Sequence, residues 1–275
     1  MNNATALHAA DPAFLQVVPN HVNGGRQPQW QSTGIGGFVI TYNEAANIEA
    51  CLRSMRFCDE LLVVDAHSTD NTREIARGCG ARVITRDWAG YRSQREFAVD
   101  TLRSDWVFYL DADERASAAL AAQIINLPRG HTPVAAYRIP FRTIYFKKRL
   151  RFGDSRCESH VRLFHRRRSQ MGGFEIHEKV IAGGPVERLT GWVEHDSFRD
   201  IDHQAYKFNR YAKLAAEELY RVGKPSSWAR VFVNPLWRFF RGFVLRGGFL
   251  DGSRRADRTS MATIGFPWLA DSGLA

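Results

Sequence analysis

The chain lacks several features that would assign its class at once. It has no run of about 18 apolar residues, so no membrane-spanning helix is expected. Residues 1–33 have no basic start followed by an apolar stretch, which argues against a secretory signal. Their mix of Asn, Gln, Pro and Gly reads instead as a disordered or loosely attached tail. There are four cysteines (Cys51, Cys58, Cys79, Cys157), none at C-x-x-C spacing. Neither a zinc site nor a disulfide framework is indicated, and a reducing cytoplasm fits. Acidic residues are the minority, 29 against 38 Lys and Arg, for a net charge of +9. No internal repeat is found. The quartet Gly34-Ile35-Gly36-Gly37 precedes an apolar run instead of following one, so it fails the context of a dinucleotide-binding fingerprint.

What is present is a globular composition: 275 residues, 44% hydrophobic, enough for one substantial core or one domain plus an elaboration. Gly36–Thr41 reads as a strand, and the next segment sets Ile48, Cys51, Leu52 and Met55 on one helical face. Leu61–Asp65 is a second strand. Ser68-Thr69-Asp70-Asn71 then opens a helix through Cys79, with Asn71 and Glu74 spaced as a capping box. Arg82–Thr85 is a third strand, Tyr91–Leu102 a helix with Phe97, Ala98 and Leu102 inward, and Trp106–Leu110 a fourth strand. This alternation predicts an α/β fold with parallel strands.

The fourth strand is apolar throughout and stops at Asp111-Ala112-Asp113. Ligands of open α/β sheets bind at the carboxyl ends of strands, so both carboxylates stand where a ligand arrives. Carboxylate oxygens suit Mg²⁺ or Mn²⁺, cations that bind one or two carboxylates plus substrate phosphates. A polar turn with Asp113 as an N-cap is the plainer alternative. The second strand also ends in an acid, Asp65, and capping explains two such acids less well than one.

Composition shifts near Pro128–Pro133, dividing a nucleotide-binding half (34–130) from a second half (131–225). From Arg138 to Arg168 eleven Lys and Arg face only Asp154 and Glu158, with Tyr137, Phe141, Tyr145, Phe146, Phe152 and Phe164 interleaved. Such a segment suits nucleic acid, a diphosphate, a phosphorylated glycolipid, an anionic leaflet or plain solvation. The acidic strand ends in the same chain favour an anionic acceptor over nucleic acid. In the C-terminal extension (226–275), Trp228, Val231, Phe232, Pro235, Leu236, Phe239, Phe240 and Phe243 recur at three-to-four spacing, with Arg230, Arg238 and Arg241 roughly opposite. This amphipathic pattern matches core packing, a partner chain or a membrane interface, and Pro235 is expected to kink or interrupt it.

The segments ITYNEAANIEACLRS, LLVVDAHSTDNTREIA, WAGYRSQREFA and WVFYLDADE resemble the successive motifs of family 2 glycosyltransferases, which have the GT-A fold. YRIPFRTIYFKKRLRFG, VRLFHRR, HEKV, EHDSF and GGFLDG resemble the lipopolysaccharide-core glucosyltransferase branch, so the likeness runs from about Gly36 to Gly252. It implies inverting transfer of a sugar, glucose in that branch, from a UDP-sugar to a lipid-linked or phosphorylated saccharide. Carried over by position, Asp65 contacts the base or ribose and Asp111 and Asp113 form the metal pair, Asp113 the direct ligand. Gln94, Arg95 and His177 become substrate-binding residues. Two positions depart from the pattern: Ala66 where many relatives have a second acid, and His67 where Gly is frequent. An acceptor anchored in the inner leaflet implies a helical, membrane-associated C-terminal portion and a cytoplasmic, peripheral location on the inner membrane.

Sugar transfer needs stabilisation of a departing diphosphate, an aligned acceptor hydroxyl and a base. Candidates for the base are Asp154, Glu158, Glu175, Glu178 and Asp196. Glu178 is preferred, because Gly172-Gly173-Phe174 before His177-Glu178 reads as a loop presenting a polar pair, and the resemblance also places an HE pair there. A nucleotidyltransferase would share the acidic site but wants a glycine-rich basic loop after the first strand, which Tyr42–Ala46 does not supply. A non-catalytic basic module is the third class.

Overall fold

The computed structural model of the protein describes residues 34–130, 132–145, 148–152, 158–173, 178–196, 200–221, 223 and 233–251. The expected tail at 1–33 lies outside the described residues. Strands β1 (Ile35–Thr41), β2 (Glu60–Asp65), β3 (Arg82–Thr85) and β4 (Trp106–Asp111) are parallel, in the order β3-β2-β1-β4. β2 therefore lies on one side of β1 and β4 on the other. Strand order reverses at β1, the position at which ligands of open α/β sheets bind.

Side chains of β1 alternate between two cores, as the two-residue period of a strand requires. Ile35 and Val39 face the core completed by α1 (Ile48–Ser54) and α2 (Thr72–Gly78). Phe38 and Ile40 face the core that takes Ala98 and Leu102 from α3 (Tyr91–Thr101) and its C-terminal end. The N-terminal glycines serve this packing. A Cβ at Gly36 would meet Leu102 Cδ2 at 3.0 Å, and one at Gly37 would meet Leu61 Cδ2 at 2.8 Å and Cys58 Sγ at 2.9 Å.

The expected Asn71–Glu74 capping box does not form. Asn71 makes no side-chain cap; Asp70 does the work, its Oδ1 accepting from Thr72 N at 3.0 Å, and Glu74 pairs with Arg77. Asp113 caps no helix either. The chain continues into β5 (Glu114–Ala116), and Ser117 Oγ caps α4 (Ala118–Ile125) by accepting from Leu120 N at 3.1 Å.

The second half adds β6 (Ala136–Tyr145), β7 (Lys148–Arg149), β8 (Ser159–His165), the hairpin β9 (Ser169–Gly173) and β10 (Glu178–Ala182), β11 (Val186–Arg188) and β12 (Val193–Asp196). The sheet is continuous across the Pro128–Pro133 boundary, because β8 runs antiparallel to both β4 and β6; it ends β4-β8-β6-β12-β5. α5 (Ile201–Arg221) follows, then α6 (Asn234–Phe239), a π-helical turn at Phe240–Leu245 and a short 3₁₀ turn at Gly248–Asp251. Pro235 sits in the first turn of α6, where its missing N–H breaks no helical hydrogen bond. Trp228, Arg230, Val231 and Phe232 lie outside the described residues. No helix among the described residues is long and apolar enough to cross a membrane.

Candidate active site

The carboxyl ends of β1, β2 and β4 converge, and register places Asp65 beside Thr41 and Asp111 beside Ile40. The loops after β1 and β2 are stitched together. Ser68 Oγ accepts from Asn43 N at 2.9 Å, Asn43 Oδ1 from Thr69 N at 2.8 Å, Thr72 Oγ1 from Glu44 N at 2.9 Å and Asp70 Oδ2 from Ala45 N at 3.1 Å. Asp65 is fully buried and organises this pair of loops, its two oxygens accepting from Ser68 N at 2.9 Å and Ser68 Oγ at 2.5 Å. His67 has φ 59°, the left-handed region that glycine enters freely, which explains why a glycine suits this position. Its imidazole Nε2 is 2.7 Å from Asp87 Oδ1, which helps fix the strained turn.

Asp111 lies in an arginine clamp. Arg95 Nη2 donates to its Oδ1 at 2.5 Å and Arg162 Nη2 to its Oδ2 at 3.2 Å. Arg162 also reaches Glu114 Oε1 at 2.5 Å and lies 4.5 Å from the Tyr109 ring centre, an arrangement suited to a planar guanidinium. Burial opposes the charge on Asp111, but the two guanidinium groups overcome it and hold the carboxyl well below the usual range. Burial pushes Glu114 the other way, up to about 7, against the pull of Arg162. Both oxygens of Asp111 are thus engaged by arginines.

Asp113, nine-tenths buried, meets different partners. Its Oδ2 lies 2.9 Å from Lys207 Nζ on α5 and 3.6 Å from His195 Nε2 on β12, and its carbonyl accepts from Asp196 N at 3.0 Å. Burial resists both charges, yet the carboxylate lifts His195 to about 9, and the two cations hold Asp113 well below its ordinary value. Among the described residues no three His, Cys, Asp or Glu side chains converge as a metal cage. The Asp113 carboxylate nevertheless fits a cation that completes its shell with diphosphate oxygens and water.

The remaining expected residues take varied places. Gln94 is buried, its Nε2 donating to Asp87 O at 2.9 Å and its Oε1 accepting from Arg86 Nη1 at 2.8 Å, so it braces the loop before α3. Glu178 opens β10, its backbone opposite Gly173 of β9. Arg92, one turn before Arg95 on α3, donates to Gly173 O at 3.4 Å, which sets the hairpin end beside the helix carrying the clamp. His177, Asp154 and Glu175 lie outside the described residues, as do Phe146 and Cys157. Glu158 is half-buried with its Oε1 3.1 Å from His160 Nε2, and Asp196 is exposed. Arg162, Glu114, His195 and Lys207 were not singled out from the sequence. Arg162 had a readable signal, a charge inside the apolar run Val161–Phe164, whereas Lys207 had none. The arginine excess of the second half is partly structural: Arg138 Nη1 donates to Ser159 O at 3.1 Å and Arg168 Nη1 to Thr132 O at 2.5 Å.

Comparison with known proteins agrees with this geometry. The model of glycosyl transferase family 2 matches residues 38–180, and the chain belongs to that family. A glycosyltransferase of Rickettsia typhi is 31% identical over 233 residues, covering 79% of this chain and 79% of its own. The lipopolysaccharide core biosynthesis glycosyltransferase LpsC of Rhizobium meliloti is 28% identical over 225 residues, covering 78% of this chain and 83% of its own. Among solved structures, the mannosyltransferase PcManGT of Pyrobaculum calidifontis, in complex with GDP-mannose and Mn²⁺, superposes with a TM-score of 0.51 at 16% identity over 87% of this chain and 88% of its own. The fold is GT-A and the protein is a glycosyltransferase.

Proposed function

We propose that the enzyme is an inverting, metal-dependent hexosyltransferase that moves a sugar, glucose in the reading favoured here, from a UDP-sugar to a lipid-linked anionic saccharide such as lipopolysaccharide core. The observation that carries this reading is the buried carboxylate Asp113 just past the carboxyl end of β4, the neighbour of β1 at the strand-order reversal, with Asp65 organising the loops that follow β1 and β2. The likeness to LpsC supports the acceptor class.

Under this reading the stitched loops after β1 and β2 seat the base and ribose. Asp113 would hold Mg²⁺ or Mn²⁺, joined by His195 only once that ring gives up its proton, and the bound ion would neutralise charge developing on the departing diphosphate. Asp111 positions Arg95 and Arg162, so that two fixed guanidinium groups line the crevice without reorganising during the reaction. Glu178, at the hairpin end next to α3, takes the proton of the acceptor hydroxyl, and His177 orients that acceptor. The acceptor half is 131–225.

The extension at 226–275 is proposed to meet an anionic membrane from its cytoplasmic side. Leu236, Trp237, Phe240, Val244, Leu245, Phe249 and Leu250 are all exposed, a concentration of apolar side chains in one short segment of a kind that marks an interaction surface. Phe239 and Phe243 are instead half-buried and stacked on one another at 5.2 Å, so the face offered to lipid is the one carrying Trp237 and Phe240. A panel of nucleotide sugars assayed for hydrolysis or transfer, with Mn²⁺ or with EDTA, tests the enzymatic reading. Absence of turnover with every UDP-sugar would refute the donor assignment, and undiminished turnover in EDTA the metal.

A further inference from the structure

Asp113 reaches the crevice with a cation already on it. Lys207 Nζ lies 2.9 Å from Asp113 Oδ2, the same oxygen that His195 approaches at 3.6 Å. The helix that carries it is pinned at this height. Three residues earlier Gln204 is fully buried, and its Oε1 accepts from the Tyr145 hydroxyl of β6 at 2.7 Å. Residues three apart share one face of a helix, so the anchored glutamine aims the lysine at the carboxylate. A lysine ammonium is a compact charge on a flexible four-carbon stem, able to leave one anion for another by changing rotamer alone.

We infer that Lys207 is an internal counter-ion that occupies the cation position of Asp113 before the donor arrives and yields it to the divalent cation that enters with the nucleotide diphosphate. The inference rests on the metal reading above. Lys207 and the incoming ion compete for one carboxylate oxygen, so metal binding without nucleotide has to displace the ammonium and is kept weak. When a diphosphate enters as well, the displaced ammonium finds new anionic oxygens within the same crevice. Metal and nucleotide then strengthen one another's binding, and by linkage the effect is reciprocal. No bond is made or broken. The consequence is that α5, the element leading toward the exposed apolar surface, takes a different contact in the donor-free and donor-bound enzyme.

Calorimetric titration of the full-length protein with Mn²⁺, alone and with saturating UDP, tests this for the wild type, Lys207→Met and Lys207→Arg. The wild type is expected to bind Mn²⁺ at least tenfold more tightly with UDP than without. Lys207→Met is expected to bind Mn²⁺ alone at least tenfold more tightly than the wild type and to lose most of the strengthening by UDP, while Lys207→Arg keeps the weak binding. Thermal melts with Mn²⁺ alone should show a larger upward shift for Lys207→Met. Equal or weaker affinity of Lys207→Met for Mn²⁺ overturns the inference. Should that variant not fold, the wild-type comparison decides: equal Mn²⁺ affinity with and without UDP overturns it. Failure of the metal reading itself has a separate signature, full wild-type turnover in EDTA.

Discussion

Replacing Asp113 by Asn separates the two things this carboxylate does. In an exposed strand-end turn the change would cost at most about 0.5 kcal/mol of stability. Asp113 is nine-tenths buried, however, and its loss leaves the Lys207 ammonium and the His195 imidazolium facing each other without their shared anion. Removing one partner of a buried ion pair costs about 3–5 kcal/mol. The Lys207 side chain retains 20% exposure, so water recovers part of that, and we expect a loss of about 1–3 kcal/mol. At about 2–4 °C per kcal/mol for a domain of this size, the melting temperature should fall by about 2–12 °C. Metal-dependent turnover should be abolished, because the amide offers one weaker acceptor where the ion needs charge. Adding Lys207→Met to Asp113→Asn removes an orphaned cation, and the double variant should regain stability without regaining turnover. Thermal melts and a UDP-sugar turnover assay at limiting Mn²⁺ read the two effects independently. Unchanged turnover of Asp113→Asn would refute the metal role. A double variant less stable than Asp113→Asn alone would refute the ion-pair account.

Glu178→Gln should lower kcat by about 10²–10⁴ with little change in UDP-sugar affinity, since Gln keeps the shape and loses the proton acceptor; near-normal kcat would move the base to Glu158, Asp196, Asp154 or Glu175. Arg162→Met leaves Glu114, 1% exposed, and Asp111 without their common cation, and urea denaturation should show a loss of about 3–5 kcal/mol; a loss below about 1 kcal/mol would show the clamp to be unimportant for stability. Trp237→Ser with Phe240→Ser should leave the melting temperature unchanged, because both side chains are exposed, and should abolish the salt-resistant part of flotation with anionic liposomes. Wild-type protein that does not float at low salt would end the membrane reading.

The first half of the fold was legible because local pattern and tertiary outcome agree there. β1, β2 and β4 are apolar runs buried on both faces, the arrangement that continuous hydrophobic strands announce. Capping was less legible. Asp70, Asn71 and Glu74 all carry the right chemistry, and only the approach of the β1 loop selects Asp70, which also accepts from Ala45 N. The second half was opaque for a related reason. β8 alternates His160, Val161, Arg162 and Leu163, and its charges read as a solvated face, yet Arg162 turns inward because Glu114 and Asp111 await it from 48 and 51 residues away.

The same asymmetry governs the candidate site. Its acids come from strand ends, where a break in an apolar run gives them away, while its cations arrive from α3, β8, β12 and α5, and of these only Arg95, through the family resemblance, and Arg162, as a charge inside an apolar run, are legible in the sequence. Reading the acids alone gives a D-x-D metal pair at Asp111 and Asp113, with Asp113 the direct ligand. The cations make them unlike: Asp111 is held by two guanidinium groups that cannot lose their charge, whereas Asp113 is held by a lysine and a histidine, a mobile charge and one that titrates. A permanent clamp suits a group that must keep its neighbours fixed through every turnover. A displaceable one suits a group that must exchange partners each time a donor enters and leaves. Under the proposed metal reading, the division of labour between the two aspartates is set by their partners, and it is at Lys207 and His195, not at a further carboxylate, that substitutions should tune how readily the donor and its metal are taken up.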